Sequence, residues 1–325
     1  MRTVMMGTGH FAEPTFEALL ASSHPVVGLV TQPDRTIGHE RASTRQTGRT
    51  MKSIALEHGV PVLKPESINT PEGVAALKEL RPDLLVVAAY GQILSGEVLE
   101  AAPLGGINVH ASLLPKYRGA APVAWAIYHG EKQTGVTIIK MTTGLDAGDM
   151  LAQKAIDIGP EETAGELEAR LAPLGAKLAL QVIDQIAAGT VQGVKQDKTQ
   201  VTKAPKLKKE NGLIDWSRTA EQVCNQVRAM QPWPTAYTYR HTPGQSPTRL
   251  IITKAALAHL SVSRVPRPGR LMSLPTVGYH LLVETGDGRA VQILQLQPEG
   301  KRRMTPVEYL NGHPLRDNGF LGPVK

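Results

Sequence analysis

Cysteine is almost absent from this chain: Cys224 stands alone among 325 residues. No disulfide closes within it, and thiolate metal clusters are excluded. Cys224 lies in a helical pattern that buries it as a small hydrophobe, so a reactive thiol is not expected. Aromatic residues are scarce as well, at 4%, and the core must therefore be aliphatic and close-packed. Long apolar runs are missing: none approaches the roughly 18 residues needed to span a bilayer. The opening Met1-Arg2-Thr3-Val4-Met5-Met6-Gly7 is too short and too soon broken by glycine for a signal peptide. It reads as a first core strand. The lone cysteine and the lack of a span fit a reducing cytoplasm, and no membrane contact is expected. The histidines show no H-x-x-x-H spacing beside an acid, and there is no P-loop, so no metal is expected.

The length suffices for two cored domains. Charge divides the chain. Residues 1–190 carry 16 Lys and Arg against 20 Asp and Glu, a balance of −4; residues 191–325 carry 20 against 9, or +11. A bias of one sign, confined to one segment, suggests that the second part meets a polyanion.

Short β-rich runs at residues 4–7, 26–31, 60–63, 84–88 and 107–110 alternate with helical patterns at 14–21, 51–58, 71–80 and 96–101. This alternation implies an α/β domain, Rossmann-like, with a mainly parallel sheet and helices on both faces. Ligands of such folds sit beyond the carboxyl ends of the strands. Residues 136–141 and 150–158 read as two strands flanking a loop. A helix follows over 164–188, interrupted at Pro173-Leu174-Gly175. The polar, lysine-rich passage that comes next reads as a linker. After a helix at 219–230, short strands at 237–239, 249–254, 269–274, 280–284 and 291–296 have the spacing of a small β-barrel. The expected domains are residues 1–190, a linker 191–208, and a barrel domain 209–325.

The chemistry gathers at Ile107-Asn108-Val109-His110. Residues i and i+2 of a strand share a face, so Asn108 and His110 reach one point as the strand ends. Asp146, in the glycine-flanked Gly144-Leu145-Asp146-Ala147-Gly148-Asp149, could meet them there. An amide, an imidazole and a carboxylate together suit an oxyanion that forms during reaction and a proton that must move. Asp149 offers the same side chain in the same loop and would serve the turn. Another reading stays open at Gly7-Thr8-Gly9-His10-Phe11-Ala12. It fits the loose G-x-G-x-x-A form of a dinucleotide fingerprint, with Asp34 near the position of a ribose-binding acid.

The runs Asn108-Val109-His110-Ala111-Ser112-Leu113-Leu114-Pro115, Arg118-Gly119, Gly135-Val136-Thr137 and Leu145-Asp146-Ala147-Gly148 resemble those of the folate-dependent formyltransferases. Further runs extend the likeness over almost the whole chain: Thr31-Gln32-Pro33-Asp34-Arg35, Val87-Ala88-Ala89-Tyr90-Gly91, Ile214-Asp215-Trp216 and Pro232-Trp233-Pro234. They resemble the branch of that family that formylates methionine carried on initiator tRNA. The resemblance implies an OB-like second domain that contacts tRNA, 10-formyltetrahydrofolate as a consumed cosubstrate, and Asn108, His110 and Asp146 as the catalytic set. It implies folate contacts from Ser112, Leu113, Leu114, Pro115, Tyr90, Gly91 and Ile93. It also implies a tRNA grip in the long loop after the second strand, through Arg35, Arg41 and Arg45. A monomer is expected. Relatives that formylate glycinamide ribonucleotide or amino sugars share the catalytic pieces, but the basic second part argues against them here.

Overall fold

The computed structural model describes residues 1–33, 50–262, 264–274, 278–315 and 319–324. The chain divides into two compact units.

The first unit comprises Met1–Val123, Lys132–Ile158 and Glu166–Lys206. It opens with β1 (Thr3–Gly7), α1 (Glu13–Leu20), β2 (Val26–Val30), α2 (Met51–Glu57), β3 (Val62–Leu63), α3 (Pro71–Glu79), β4 (Leu84–Ala88), α4 (Gly96–Leu99) and β5 (Gly106–His110). The short β6 (Arg118–Gly119) and the helix α5 (Pro122–Tyr128) come next, then the hairpin β7 (Gln133–Lys140) and β8 (Met150–Asp157), α6 (Ala164–Ala187) and the short β9 (Lys203–Ala204). Seven strands form one sheet in the order β3-β2-β1-β4-β5-β7-β8. The first five run parallel, while β7 and β8 are antiparallel additions. Every residue of β1 and β4 is buried, as strands covered on both faces must be. Strand order reverses between β1 and β4, so the crevice opens beyond their carboxyl ends, beside the end of β5.

Several expectations need correction. Helix α6 runs unbroken through Pro173. The proline removes one backbone hydrogen bond, at a cost of about 3 kcal/mol. Against that stands a continuous buried stripe of Leu167, Leu171, Ala172, Ala176, Ala179, Val182 and Ile183, at helical spacing. The passage expected as a linker is folded into the first unit as far as Lys206. Val194 pairs with Met150 through two backbone hydrogen bonds of 2.9 Å, and β9 pairs in parallel with β6.

The second unit holds Leu207–Lys325 and also Ala124–Glu131 and Gly159–Gly165, which the sequence expectation placed in the first domain. Arg228 explains one of these additions by donating from Nη1 to the carbonyls of Gly159 at 3.1 Å and Glu162 at 3.2 Å. The other is held where the Arg218 guanidinium lies 4.3 Å over the Tyr128 ring. After α7 (Ala220–Ala229), six strands follow: β10 (Ala236–His241), β11 (Thr248–Ser261), β12 (Leu271–Leu274), β13 (Tyr279–Glu284), β14 (Arg289–Pro298) and, beyond α8 (Pro306–Gly312), β15 (Phe320–Gly322). They form one antiparallel sheet in the order β12-β13-β14-β11-β10-β15. The sheet curls until its two edges meet at a bridge between Arg270 and Phe320, giving the expected barrel-like form. Strand β11 continues well past residue 254, through Ala255-Ala256-Leu257-Ala258. Alanine is a weak strand former; pairing with β14, with irregular register, and burial of Ala258 against Leu282 and Ala290 hold it extended.

Candidate active site

Strand β5 delivers two side chains to one place. It pairs with β4 on one side and with β7 on the other, where Asn108 faces Ile139 and His110 faces Thr137. The β7–β8 hairpin loop then swings Asp146 onto them. Asp146 itself has φ +46°, a left-handed conformation uncommon for a residue with a side chain. Gly148 lets the loop close: a Cβ there would lie 1.7 Å from the Lys140 carbonyl.

The three predicted catalytic residues are thus brought together. Asn108 Nδ2 donates to Asp146 Oδ1 at 3.3 Å. His110 Nδ1 lies 3.7 Å from Asp146 Oδ2. The backbone N–H of Gly119 donates to the same Oδ2 at 2.8 Å. Gly119 has φ +125°, and a Cβ on it would strike the Ala204 carbonyl at 2.5 Å, so only glycine presents its N–H here. The side chains of His110 and Asp146 are 5% and 11% exposed, a setting in which charges and dipoles interact more strongly than in water.

The hydrogen bond on the far side of the imidazole fixes its tautomer. His110 Nε2 lies 3.0 Å from the Tyr117 carbonyl, which can only accept. Nε2 therefore carries a proton, and Nδ1 is the edge turned to Asp146. Asp149, by contrast, contributes its main-chain carbonyl, which accepts from Lys140 N–H at 2.9 Å.

The segment after β5 is braced from below. Ser112 is fully buried, and its hydroxyl donates to Lys116 O at 2.7 Å, so it shapes the turn. Thr137 Oγ1 donates to Ser112 O at 2.6 Å and accepts from Leu114 N–H at 3.1 Å. Gln153 Nε2 donates to Leu114 O at 3.0 Å and to Thr137 Oγ1 at 2.9 Å. Leu114 is buried, while Leu113 and Pro115 remain partly exposed.

The loop after β4 is built similarly. Tyr90 packs into the core with Val4, Met6, Ile68 and Val98, and burial pushes its hydroxyl up to about 12. Its ring is a support; its carbonyl accepts from Gln32 Nε2 at 3.0 Å. Gly91, at φ +84°, is exposed, and Ile93 is 66% exposed with its carbonyl held by Asn69 Nδ2 at 2.8 Å. His10 is 56% exposed and meets Glu13 at 3.2 Å, a surface role. Arg35, Arg41 and Arg45 lie outside the described residues.

Sequence reasoning missed Gln153 and Gln196. Gln196 Nε2 donates to Asp146 O and to Gly148 O, both at 2.8 Å, and its Oε1 accepts from Arg118. It stands in the polar passage after α6, where no periodicity marks one residue above another. Among the described residues no group of three or more His, Cys, Asp or Glu is placed to hold a metal ion. No described helix is long and apolar enough to cross a membrane.

Comparison with known proteins gives this geometry a context. Residues 1–183 match the formyl transferase family, and residues 206–314 match the formyl transferase C-terminal domain. The methionyl-tRNA formyltransferase of Citrifermentans bemidjiense is 41% identical over 322 residues, covering 99% of this chain and 96% of that protein. The methionyl-tRNA formyltransferase of Solibacter usitatus is 42% identical over 323 residues, covering 99% of each. Among solved structures, an N-formyltransferase from Helicobacter canadensis in complex with folinic acid and dTDP-3-aminofucose aligns with a TM-score of 0.65. At 19% identity, over 91% of this chain and 98% of that one, it shows a shared fold. With matches to both domain models and relatives of about this length throughout, the chain belongs to the formyl transferase family, among the methionyl-tRNA formyltransferases.

Proposed function

We propose that this chain transfers the formyl group of 10-formyltetrahydrofolate to the α-amine of methionine on initiator tRNA, giving N-formylmethionyl-tRNA. The observation that carries the reading is the convergence of Asn108, His110 and Asp146 at the carboxyl end of β5. The lone pair of the neutral amine attacks the formyl carbon, and the carbonyl π electrons move onto oxygen. The Asn108 amide has a second N–H beyond the one given to Asp146, and it donates to that oxygen. When His110 carries a proton on Nδ1 as well, it donates from Nδ1, because Nε2–H is committed to Tyr117. Asp146 receives the proton lost by the amine, directly or through a water. The intermediate collapses as the bond from carbon to N10 breaks, and N10 leaves with the electron pair and takes up the proton that Asp146 received, which regenerates the carboxylate.

The folate reading rests on what the two loops offer. Leu113 and Pro115 are partly exposed, and Gly91 and Ile93 are exposed, giving small and aliphatic surface for a flat heterocycle with backbone groups at its edge. Ser112, Leu114 and the Tyr90 ring are buried and serve as the frame. The +11 of residues 191–325 favours the tRNA phosphates. Arg35, Arg41 and Arg45 are assigned to tRNA by resemblance alone.

Incubation with 10-formyltetrahydrofolate and charged initiator tRNA tests the reading. Formylation of the tRNA-bound methionine is expected, with free methionine and glycinamide ribonucleotide left unmodified. Formylation of glycinamide ribonucleotide, or of no acceptor, would overturn it.

A further inference from the structure

Asp146 is held at its side chain and at its main chain, and the main-chain hold comes from a distant part of the chain. Its carboxylate takes the Gly119 N–H, while its main-chain carbonyl takes one N–H of Gln196, fifty positions on. The other N–H of the same amide goes to Gly148 O. On the opposite side, Oε1 receives Arg118 Nε at 3.0 Å and Arg118 Nη2 at 2.7 Å. Each donor and each lone pair of the amide is used. The carbonyls can only accept and the guanidinium can only donate, so one orientation of the amide satisfies both. The segment bearing Gln196 is itself fixed on either side, by the pairing of Val194 with Met150 and by the β6–β9 pairing.

The loop needs such a tether. A non-glycine residue at φ +46° is strained and persists where its surroundings over-determine it. The Asp146 and Gly148 carbonyls, drawn onto one amide, do this for the turn that aims the carboxylate. Arg118–Gly119 acts on both holds: the Gly119 N–H on the side chain, and the Arg118 guanidinium on Gln196.

We propose that Gln196 is a positioning residue for the reaction. Oriented by Arg118, it clamps the Asp146 turn so that the carboxylate meets His110 and Asn108. It touches neither substrate and acts only through Asp146. The inference rests on the function proposed above for this site. A misplacement of about 1 Å at a reacting group costs on the order of 10²-fold in rate.

The test uses the full chain with Gln196→Met, which keeps length and volume but removes all four hydrogen bonds, and with Gln196→Glu, which keeps an acceptor for Arg118 but gives the two carbonyls no donor. Both should lower the formylation rate constant at saturation by roughly 10- to 100-fold, with the folate dissociation constant and the melting temperature near parental values. In an Asp146→Asn background, Gln196→Met should cost less than about threefold more, because a residue acting through Asp146 has nothing left to position. The ring-proton resonance of His110, identified by its loss in His110→Asn, should move in Gln196→Met while those of His24 and His58 stay. That last readout does not depend on formylation. A wrong acceptor or an inactive parent would therefore refute the proposed function without deciding the clamp. Parental turnover in both variants, equal losses with and without Asp146, or an unmoved His110 resonance would overturn the clamp.

Discussion

The two units differ in where their specific polar contacts converge. In the first they converge on one carboxylate: a backbone N–H, an amide and an imidazole all face Asp146. In the second they lock the fold. The buried Arg240 donates from Nη1 to Tyr309 Oη at 3.0 Å and to His313 O at 3.1 Å, and from Nη2 to Pro314 O at 3.0 Å. The buried Glu284 accepts from Arg270 Nε at 2.7 Å beside the point where the curled sheet meets itself. Chemistry in the first unit depends on sub-ångström aim, whereas attraction for a polyanion depends on summed charge and tolerates the loss of any one residue. The lesson is that a single substitution should be severe in one unit and mild in the other, unless it unfolds the second.

The largest effect is expected inside a single loop. Asp146→Asn should lower formylation by about 10³-fold, because the proton acceptor is lost. Asp149→Asn, in the same loop, should stay within severalfold of the parent. Steady-state kinetics on both, with circular dichroism to verify folding, checks this; equal losses would assign the effect to loop structure.

Next comes the salt dependence of the basic part. If residues 191–325 meet tRNA through phosphates, binding should weaken by roughly 10²-fold between about 50 and 200 mM salt, as expected for some four contacts. Folate affinity should barely change. Filter binding of tRNA and fluorescence titration of folate, run over the same salt series, compare the two directly.

A smaller, purely structural effect isolates the second unit. All three tryptophans, Trp125, Trp216 and Trp233, fall within it, so their fluorescence reports its unfolding. Arg240→Met strands the buried Tyr309 hydroxyl and two carbonyls, at a cost of about 2–4 kcal/mol. The denaturant midpoint of the tryptophan signal should fall, and folate affinity should hold.

The smallest effect concerns α8. The Thr305 backbone N–H, then the Arg302 guanidinium and the Thr305 hydroxyl, hold the Glu308 carboxyl at about 2, below its ordinary 4.5. A carboxyl depressed on folding stabilises the folded form above its ordinary value and loses that contribution as pH falls towards the folded value. Helix α8 should therefore fray between about pH 4.5 and 2. Glu308→Gln should remove most of this pH dependence, as amide exchange across Pro306–Gly312 would show.

The strand positions of the first unit were legible because central parallel strands are apolar throughout and glycine or proline punctuates their ends. Asn108 and His110 were legible for the same reason: their separation of two residues fixes a common face once the strand is known. Asp146 was legible from its glycines. Gln196 was not, because it acts from a polar passage without periodicity and its importance arises only from pairing with β6 and β8. Likewise, Pro173 suggested a break that packing overrode, and the alanines of β11 hid half a strand that pairing with its neighbour and packing hold in place. In each case a tertiary contact outweighed the local preference. The second unit's claim on residues 124–131 and 159–165 was equally hidden, since it depends on Arg218 and Arg228, far along the chain.

On the function proposed above, the end of β5 stabilises charge present only during reaction. Single-turnover formylation of methionyl initiator tRNA, with tRNA and folate both saturating, tests it on Asn108→Ala and His110→Ala. Each variant should show a rate constant about 10²–10³-fold below the parent, with the folate dissociation constant little changed. Near-parental rate constants accompanied only by weaker folate binding would contradict it.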